Sequence, residues 1–352
     1  MNRISWLKFA PLAGIFLLVG EGSGQQQLQT PQASPRARVT QSIGIAEVTV
    51  VYHRPAVRGR RIWGGLVPYG EVWRAGANEN TTVSFSHPVK IEGEELPAGT
   101  YGLHMIPQEK EWTVIFSNNA TSWGSFFYRE DEDALRVTVA PQEANLTESL
   151  LYEFDQLNDS SATFSLVWEE LRVPVRLSMN MHQIVLENIR ESYLRGPAGF
   201  GWQGYNQAAQ YCLTHSINLE EAGRWADRSI AIDENASNLW TKANLLQKAG
   251  SVAEAESLRE RALGIATEAE INALGYQYLF SDRVDEAIEL FAANVRLFPE
   301  SWNVYDSLAE GLARKGDRQG AISNYTRALK LVQSETQKER IQRTIEDLKE
   351  GL

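Results

Sequence analysis

A repeat of about 33 residues in the second half of the chain constrains the fold more than any other feature. The strings "EEAGRW", "AEAESL", "DEAIEL" and "QGAISN" place an alanine at corresponding positions, at spacings of 33, 32 and 34 residues. These alanines are Ala222, Ala255, Ala287 and Ala321. A unit of this length is typical of two antiparallel helices, which stack on their neighbours because one pair alone cannot bury its apolar face. The sequence therefore predicts an all-α helical repeat solenoid over residues 205–335.

The repeat resembles the tetratricopeptide repeat (TPR), most closely in its third unit. The matching positions of that unit are Leu274, Gly275, Tyr278, Ala287, Phe291 and Pro299. The first two units are degenerate, with Ala226 and Arg259 where an aromatic residue is usual. The polar stretch 336–352 predicts a capping helix over the open end of the stack.

The resemblance to TPR proteins implies a groove that holds a protein or peptide partner. The residues that we expect on the groove side of the first helices of units three and four are Asn272, Tyr276, Asn303, Asp306 and Glu310. The alternative for each of them is plain exposure to solvent without a partner.

Residues 38–178 have a different texture, with short runs of alternating apolar and polar residues separated by turn signals such as "IEGEELPAGT" and "LNDSS". Such runs predict an all-β domain, an antiparallel sandwich or barrel. Residues 179–204 then change to a helical period and end in "RGPAGFGWQG". We interpret this segment as a helix and a Gly-rich hinge between two domains.

The N-terminus predicts export. Arg3 and Lys8 stand before or at the edge of the apolar run "FAPLAGIFLLVG", which is followed by small and polar residues. This order is typical of a secretory signal peptide, here residues 1–24, and the run is shorter than the roughly 20 residues that span a bilayer. A short membrane anchor is the alternative. We expect a periplasmic or secreted protein with a flexible leader at 25–37 and no stable membrane span after cleavage.

Composition and motifs exclude several classes of function. The formal net charge of −11, without a basic face, argues against nucleic-acid binding. The single cysteine, Cys212, rules out a disulfide within the chain. No nucleophile elbow, Walker loop, zinc-protease motif or calcium-binding loop occurs in the sequence, so we expect no cofactor and, on balance, no enzyme.

One segment of the β region stands out chemically, "YHRPAVRGRRIWGGLVPYGEVWRAGANEN" at residues 52–80. Guanidinium groups bind carboxylates or phosphates, tryptophans stack on planar ligands, and glycines allow close approach of the backbone. The candidate ligand-binding residues are Arg54, Arg58, Arg60, Trp63, Trp73, Arg74, Asn78 and Glu79. The alternative is structural: the tryptophans plug one end of the core, and the arginines pair inside the protein.

Two weaker hypotheses concern catalysis and metal binding. Glu71 and Glu79, or an acid paired with His53, are the candidates for acid–base work in a hydrolase of envelope glycans or peptides. His53, His87 and His104 would form a metal site if strand pairing brought their imidazoles together. Strand alternation places His104 on the face opposite to Leu103 and Met105.

The β region also resembles the bacterial DUF2911 family, over roughly residues 38–175. The first matching segment is Arg54, Pro55, Gly59, Arg60, Trp63 and Gly64. The second is Trp73, Arg74, Gly76, Ala77 and Asn78, and the third is Pro97, Ala98, Gly99, Tyr101 and Pro107. The resemblance implies an exported bacterial protein, often with a TPR tail, and it brings no established activity. Together these features predict a non-enzymatic binding or scaffold protein, whose β-domain holds a small polar or anionic ligand or a partner.

Overall fold

The computed structural model describes residues 30–351 and divides the chain into two compact units. The first unit ends at Asn180 and the second begins at Met181. The predicted signal peptide and the first part of the predicted leader, residues 25–29, lie outside the described residues. The rest of the predicted leader runs into the first strand, which begins at Arg36.

The first unit consists of ten strands arranged in two antiparallel sheets within its described part. The strands are β1 Arg36–Ile43, β2 Ala46–His53, β3 Thr82–Phe85, β4 Val89–Ile91, β5 Glu94–Leu96, β6 Gly99–Ile106, β7 Trp112–Ser117, β8 Asp133–Val139, β9 Gln142–Asp155 and β10 Ser161–Ser178. The larger sheet has the order β1-β2-β3-β6-β7-β8, and the smaller has the order β5-β4-β10-β9. The predicted β fold is confirmed in its sandwich form.

Alternation of side chains explains which strand faces form the core. Along β2 the buried residues recur at every second position, and Val48 and Val50 have no exposed surface. Strand β6 differs, because nearly all of its residues are buried on both faces. Its second face is covered by the loop between β7 and β8, residues 118–129, which we call the 118–129 loop.

Two of the apolar runs that the sequence separates, "ATFSLVW" and "LRVPVRL", belong to one strand of 18 residues, β10. The pairing register of β10 with β9 shifts on either side of Glu169, which has a φ of 55°. A bulge at this point lets the strand bend and continue, so the charged pair Glu169–Glu170 does not end it.

The second unit contains ten α-helices among its described residues. They are α1 Met181–Asn188, α2 Trp202–His215, α3 Leu219–Ile232, α4 Ala236–Lys248, α5 Val252–Ile265, α6 Glu268–Phe280, α7 Val284–Leu297, α8 Trp302–Lys315, α9 Arg318–Leu331 and α10 Glu335–Glu350. Helices α2 to α9 form four successive antiparallel pairs. None of the helices in the described range is long and apolar enough to cross a membrane.

The packing of the third pair shows why the repeat needs its small residues. The four repeat alanines are completely buried. The ring of Phe291 is also fully buried, and it lies against Gly275 and Gly311 of the neighbouring helices. A Cβ atom on Gly275 would overlap this ring, so the close approach of the helices depends on the absence of a side chain there. The predicted TPR-like solenoid is confirmed.

The ends of the helical unit also have specific packing. Helix α1 continues into a π-helical turn at Ile189–Tyr193, and its residues Leu186 and Ile189 pack in the same cluster as Ala208 and Cys212. The helix at the start of the predicted segment 179–204 therefore packs in the helical unit. At the other end, Ile341 and Ile345 of α10 are buried, while the rest of that helix is mostly polar.

Candidate functional site

The segment between β2 and β3 holds most of the predicted ligand-binding residues, and two of its arginines bind backbone. Arg54 Nε donates to the carbonyl of Leu150 at 2.9 Å. Arg60 Nε donates to the carbonyl of Val57 at 3.1 Å. These guanidinium groups tie the segment to itself and to β9, which is the capping role that the sequence left open.

Arg58 differs from its neighbours because its backbone, rather than its side chain, is held. Its N–H donates to Glu148 Oε1 at 2.9 Å, and its φ is 50°. The side chain of Arg58 is exposed, with no hydrogen bond or ion pair to any residue between 30 and 351. The guanidinium of Arg58 is therefore exposed to solvent, whereas that of Arg74, in the same segment, is half-buried.

Trp63 is a core residue. It is 7% exposed and packs edge-on against Trp112, Trp168 and Trp73, with ring centroids 4.8, 5.7 and 5.8 Å away. Trp73 is half-buried and stacks on Trp168. Trp63 thus packs inside the sandwich, where the rings of three other tryptophans surround it.

The backbone that follows Trp73 is held in an unusual conformation. Ala75 is completely buried and has a φ of 50°, and Asn78 has a φ of 59°. The carbonyl of Ala75 accepts hydrogen bonds from Tyr152 Oη at 2.9 Å and from Thr81 Oγ1 at 3.1 Å. Left-handed backbone at a non-glycine residue costs roughly 1–2 kcal/mol, so these buried hydroxyls hold strain beside Arg74.

Arg74 is the one predicted ligand-binding arginine that is half-buried and unpaired within the described chain. Its Nε is buried without a hydrogen-bond partner, and no carboxylate among residues 30–351 forms an ion pair with it. Burial lowers the pKa of its guanidinium from the usual value. A desolvated cation without an anion is costly, which makes Arg74 a strong candidate to receive an anionic group.

Aromatic side chains of the 118–129 loop surround Arg74. The guanidinium lies 5.6 Å from the ring centroid of Trp123 and 5.9 Å from that of Phe126. These two rings are nearly parallel, and they are 54% and 75% exposed. Gly124, with a φ of 65°, brings the loop backbone against Arg74, and a Cβ atom there would overlap the guanidinium. The site therefore combines one cation with two exposed apolar faces.

Polar residues attach the 118–129 loop to the outer face of the larger sheet. His104 Nδ1 and Ser125 Oγ are 2.9 Å apart, and Asn80 Nδ2 donates to the carbonyl of Asn119 at 3.2 Å. His104 lies on the strand face opposite to Leu103 and Met105, as strand alternation predicts, and this face carries the loop. Burial lowers the pKa of His104 to about 4, although the nearby Asp133 acts in the opposite direction. The imidazole is therefore neutral at neutral pH and serves as an anchor.

The structure brings together one of the two suggested acid–base pairs. His53 Nε2 lies 3.2 Å from Glu79 Oε2, whereas Glu71 is exposed and forms no ion pair within residues 30–351. Burial lowers the pKa of His53, Glu79 raises it by a smaller amount, and Arg36 lowers it. The other ring nitrogen, Nδ1, is buried without a partner, so the imidazole presents no free base to solvent.

The three histidines of the suggested metal site do not converge. His87 is partly buried, and its Nδ1 is 2.9 Å from Ser86 Oγ, whereas His53 and His104 make the separate contacts described above. Across residues 30–351 there is no group of three or more His, Cys, Asp or Glu side chains placed to hold a metal ion. Asn78 Nδ2 is also occupied, since it donates to the carbonyl of Ser34 at 3.2 Å.

The predicted groove residues of the helical unit are engaged in contacts between helices. Asp306 is buried and forms an ion pair with Arg340 of α10 at 2.7 Å. Tyr276 Oη donates to Glu310 Oε2 at 2.7 Å, and Asn303 Nδ2 donates to Glu268 Oε1 at 3.2 Å. The final helix thus supplies the partner of Asp306, and its place in a partner-binding groove stays a prediction.

Asn272, the remaining groove candidate, is partly buried, and its Oδ1 has no hydrogen-bond partner in the described part of the chain.

The 118–129 loop is the part of the site that sequence reasoning missed. The signal was available in "NNATSWGSFFYR", where Trp123, Phe126 and Phe127 stand among turn-forming residues instead of in a strand. All three are exposed. Large apolar side chains that remain exposed in a loop are a recognised mark of a binding surface.

The fold defines a two-unit chain, a β-sandwich followed by TPR-like repeats. The candidate site in the sandwich is a half-buried arginine that is unpaired within residues 30–351. Residues 34–177 match the model of the family described as "Protein of unknown function (DUF2911)". No curated protein matches the chain.

Several solved structures match part of the chain. In Cut9–Hcn1 of the APC/C the match has 20% identity and a TM-score of 0.25, and it covers 43% of this chain and 28% of that one. The match to YrrB, described as a TPR protein with an unusual peptide-binding site, has 17% identity and a TM-score of 0.24, and it covers 42% of this chain and 75% of that one. The match to a MamA structure has 21% identity and a TM-score of 0.25, and it covers 42% of this chain and 80% of that one.

Proposed function

We propose that the first unit binds a small carboxylate ligand with a planar or apolar face, and that Arg74 pairs with its carboxylate. The observation that supports this function is the half-buried guanidinium without an anion, beside the exposed rings of Trp123 and Phe126. A guanidinium fork matches a carboxylate with two parallel hydrogen bonds, and the rings provide apolar contact for the rest of the ligand.

The strained backbone next to Arg74 supports the same function. Residues in sparsely populated conformations concentrate at ligand sites, where the surrounding structure fixes them in advance. Here the buried hydroxyls of Tyr152 and Thr81 fix the carbonyl of Ala75. Arg74 is thus positioned before a ligand arrives, which reduces the entropy lost on binding.

The test is calorimetric titration of the full chain with benzoate and with benzamide, its neutral analogue of the same shape. We expect benzoate to bind and benzamide to bind at least tenfold more weakly. Arg74→Gln should remove the benzoate signal, whereas Arg58→Gln, in the same segment but exposed, should leave it unchanged. Equal binding of the two compounds, or benzoate binding that survives Arg74→Gln, would contradict the proposal.

We propose for the second unit the role of a scaffold that binds a protein or peptide partner, which the stacked helix pairs support by their extended surface. We also propose export of the protein, supported by the basic residues and apolar run of residues 1–24. N-terminal sequencing of the mature protein tests the second point. A chain that retains Met1 in the cell fraction would contradict it.

A further inference from the structure

A cavity of about 790 Å³ lies in the helical unit, where α4 and α5 adjoin α6 and α7. Its lining includes the aromatic residues Trp240 and Tyr278 and the amides Asn244 and Gln277. None of the five residues predicted to face the TPR groove belongs to the described lining.

An arginine at a repeat position that holds an aromatic residue in the next unit accounts for the cavity. Arg259 follows Ala255 by four residues, as Phe291 follows Ala287, so the two occupy the same repeat position. Phe291 fills the space beside its helices completely. A guanidinium cannot enter such an apolar space without losing its hydration, and Arg259 instead donates to Asn244 Oδ1 at 3.1 Å and pairs with Glu256 Oε1 at 2.7 Å. Helix α5 correspondingly makes few contacts with α6, whereas α7 packs extensively on α8.

The cavity wall has a distinct chemistry. Trp240 Nε1 donates to Tyr278 Oη at 3.0 Å, which fixes two aromatic rings side by side. Arg259 lies 5.5 Å from the Trp240 ring centroid, and Arg283 lies 4.5 Å from that of Tyr278. Lys248 is a third cation in the lining.

The balance of charge in this lining favours an anion. Two carboxylates also belong to the lining, Glu286 and Glu289, and Glu286 is already paired with Arg283 at 2.8 Å. Arg259 Nε is buried and has no hydrogen-bond partner among residues 30–351. Arg259 is paired with Glu256 and Arg283 with Glu286, so Lys248 is the lining cation that has no carboxylate partner in the described part of the chain, and Arg259 Nε is a buried donor without an acceptor there.

We propose that this cavity binds an acidic peptide segment in which an aromatic side chain stands next to Asp or Glu. The aromatic side chain would occupy the space that Arg259 leaves open, as Phe291 does in the following pair, and the neighbouring carboxylate would pair with Arg259. The proposal rests on the scaffold role of the second unit and names the site and the kind of partner.

The test uses two fluorescein-labelled peptides of twelve residues, three repeats of Asp-Tyr-Asp-Leu and three of Lys-Tyr-Lys-Leu, titrated with the full chain by fluorescence anisotropy. We expect the acidic peptide to bind at least tenfold more tightly than the basic one. Binding should weaken at high salt, which screens the ion pairs. Failure of the acidic peptide to bind, or preference for the basic one, overturns the proposal.

Substitutions then locate the site. Arg259→Phe should weaken acidic-peptide binding at least tenfold while keeping the melting temperature at or above that of the parent protein, because the ring fills the cavity. Arg259→Gln should also weaken binding, and it introduces no bulk that could prevent folding. Arg261→Phe, on an exposed part of the same helix, is the matched control and should bind normally.

Two patterns overturn the assignment of the site. Unchanged binding in both Arg259 variants does so directly. Binding that is lost in Glu310→Gln and retained in Arg259→Phe also overturns it, but leaves the scaffold role of the helical unit intact. The benzoate titration of the first unit is independent of all these results.

Discussion

The hydrogen bonds to the carbonyl of Ala75 give a quantitative test of how the loop beside Arg74 is held. Tyr152→Phe removes the hydroxyl that donates to this carbonyl at 2.9 Å. Because Thr81 Oγ1 still donates at 3.1 Å, the carbonyl keeps one partner, and the loss should be that of one net hydrogen bond, about 1 kcal/mol. Thr81→Val should cost a similar amount for the same reason.

The double variant is more informative than either single one. With both hydroxyls removed, a buried carbonyl has no partner, and a buried unsatisfied acceptor costs about 1–3 kcal/mol. The free energy of unfolding should therefore fall by about 1 kcal/mol more than the sum of the single effects. Because Ala75 adjoins Arg74, the double variant should also bind benzoate more weakly.

The assay is urea unfolding of the full chain, followed by tryptophan fluorescence, for the parent, both single variants and the double variant. Tyr52→Phe is the matched control, since Tyr52 packs edge-on against Tyr152 and its hydroxyl makes no hydrogen bond within residues 30–351. It should change stability by less than about 0.5 kcal/mol. Strictly additive effects, or a Tyr152→Phe protein as stable as the parent, would refute the reasoning.

Three further predictions concern burial and close packing. Burial lowers the pKa of His104 from 6.5 to about 4. Between these pH values the native state therefore binds fewer protons than the unfolded chain. The free energy of unfolding should fall by about 3 kcal/mol as the pH decreases through this range. Urea unfolding against pH should show that His104→Gln removes this loss and that His87→Gln does not. Gly124→Ala places a methyl group against the guanidinium of the candidate site at a positive φ, and it should weaken benzoate binding about fivefold in the same calorimetric titration. Gly275→Ala should destabilise the helical unit by about 1–3 kcal/mol through overlap with the aromatic ring beside it, whereas Gly264→Ala, which has open space, should stabilise it by about 0.5–1 kcal/mol. Thermal unfolding compares the two, and a stable Gly275→Ala protein would contradict the packing account.

The sequence by itself determined the features that depend on local periodicity. The helix pairs follow from the spacing of small residues, because each pair closes within one repeat of the chain. The placement of His104 on the strand face opposite to Leu103 and Met105 follows from strand alternation alone. The degenerate position at Arg259 was also legible, since it interrupts an otherwise regular pattern.

Only the tertiary structure decided which half-buried arginine side chain has no hydrogen-bond or ion-pair partner among the described residues. Arg54, Arg60 and Arg74 look alike in the sequence, but the carbonyl acceptor of Arg54 lies 96 residues away, on β9. The aromatic rings beside Arg74 come from the 118–129 loop, a segment distant in the chain. The ion pair of Asp306 likewise joins distant segments, because its partner, Arg340, belongs to the last helix. Periodicity specifies which face of an element is apolar, whereas the pairing of polar groups depends on which segments the fold brings within hydrogen-bond distance.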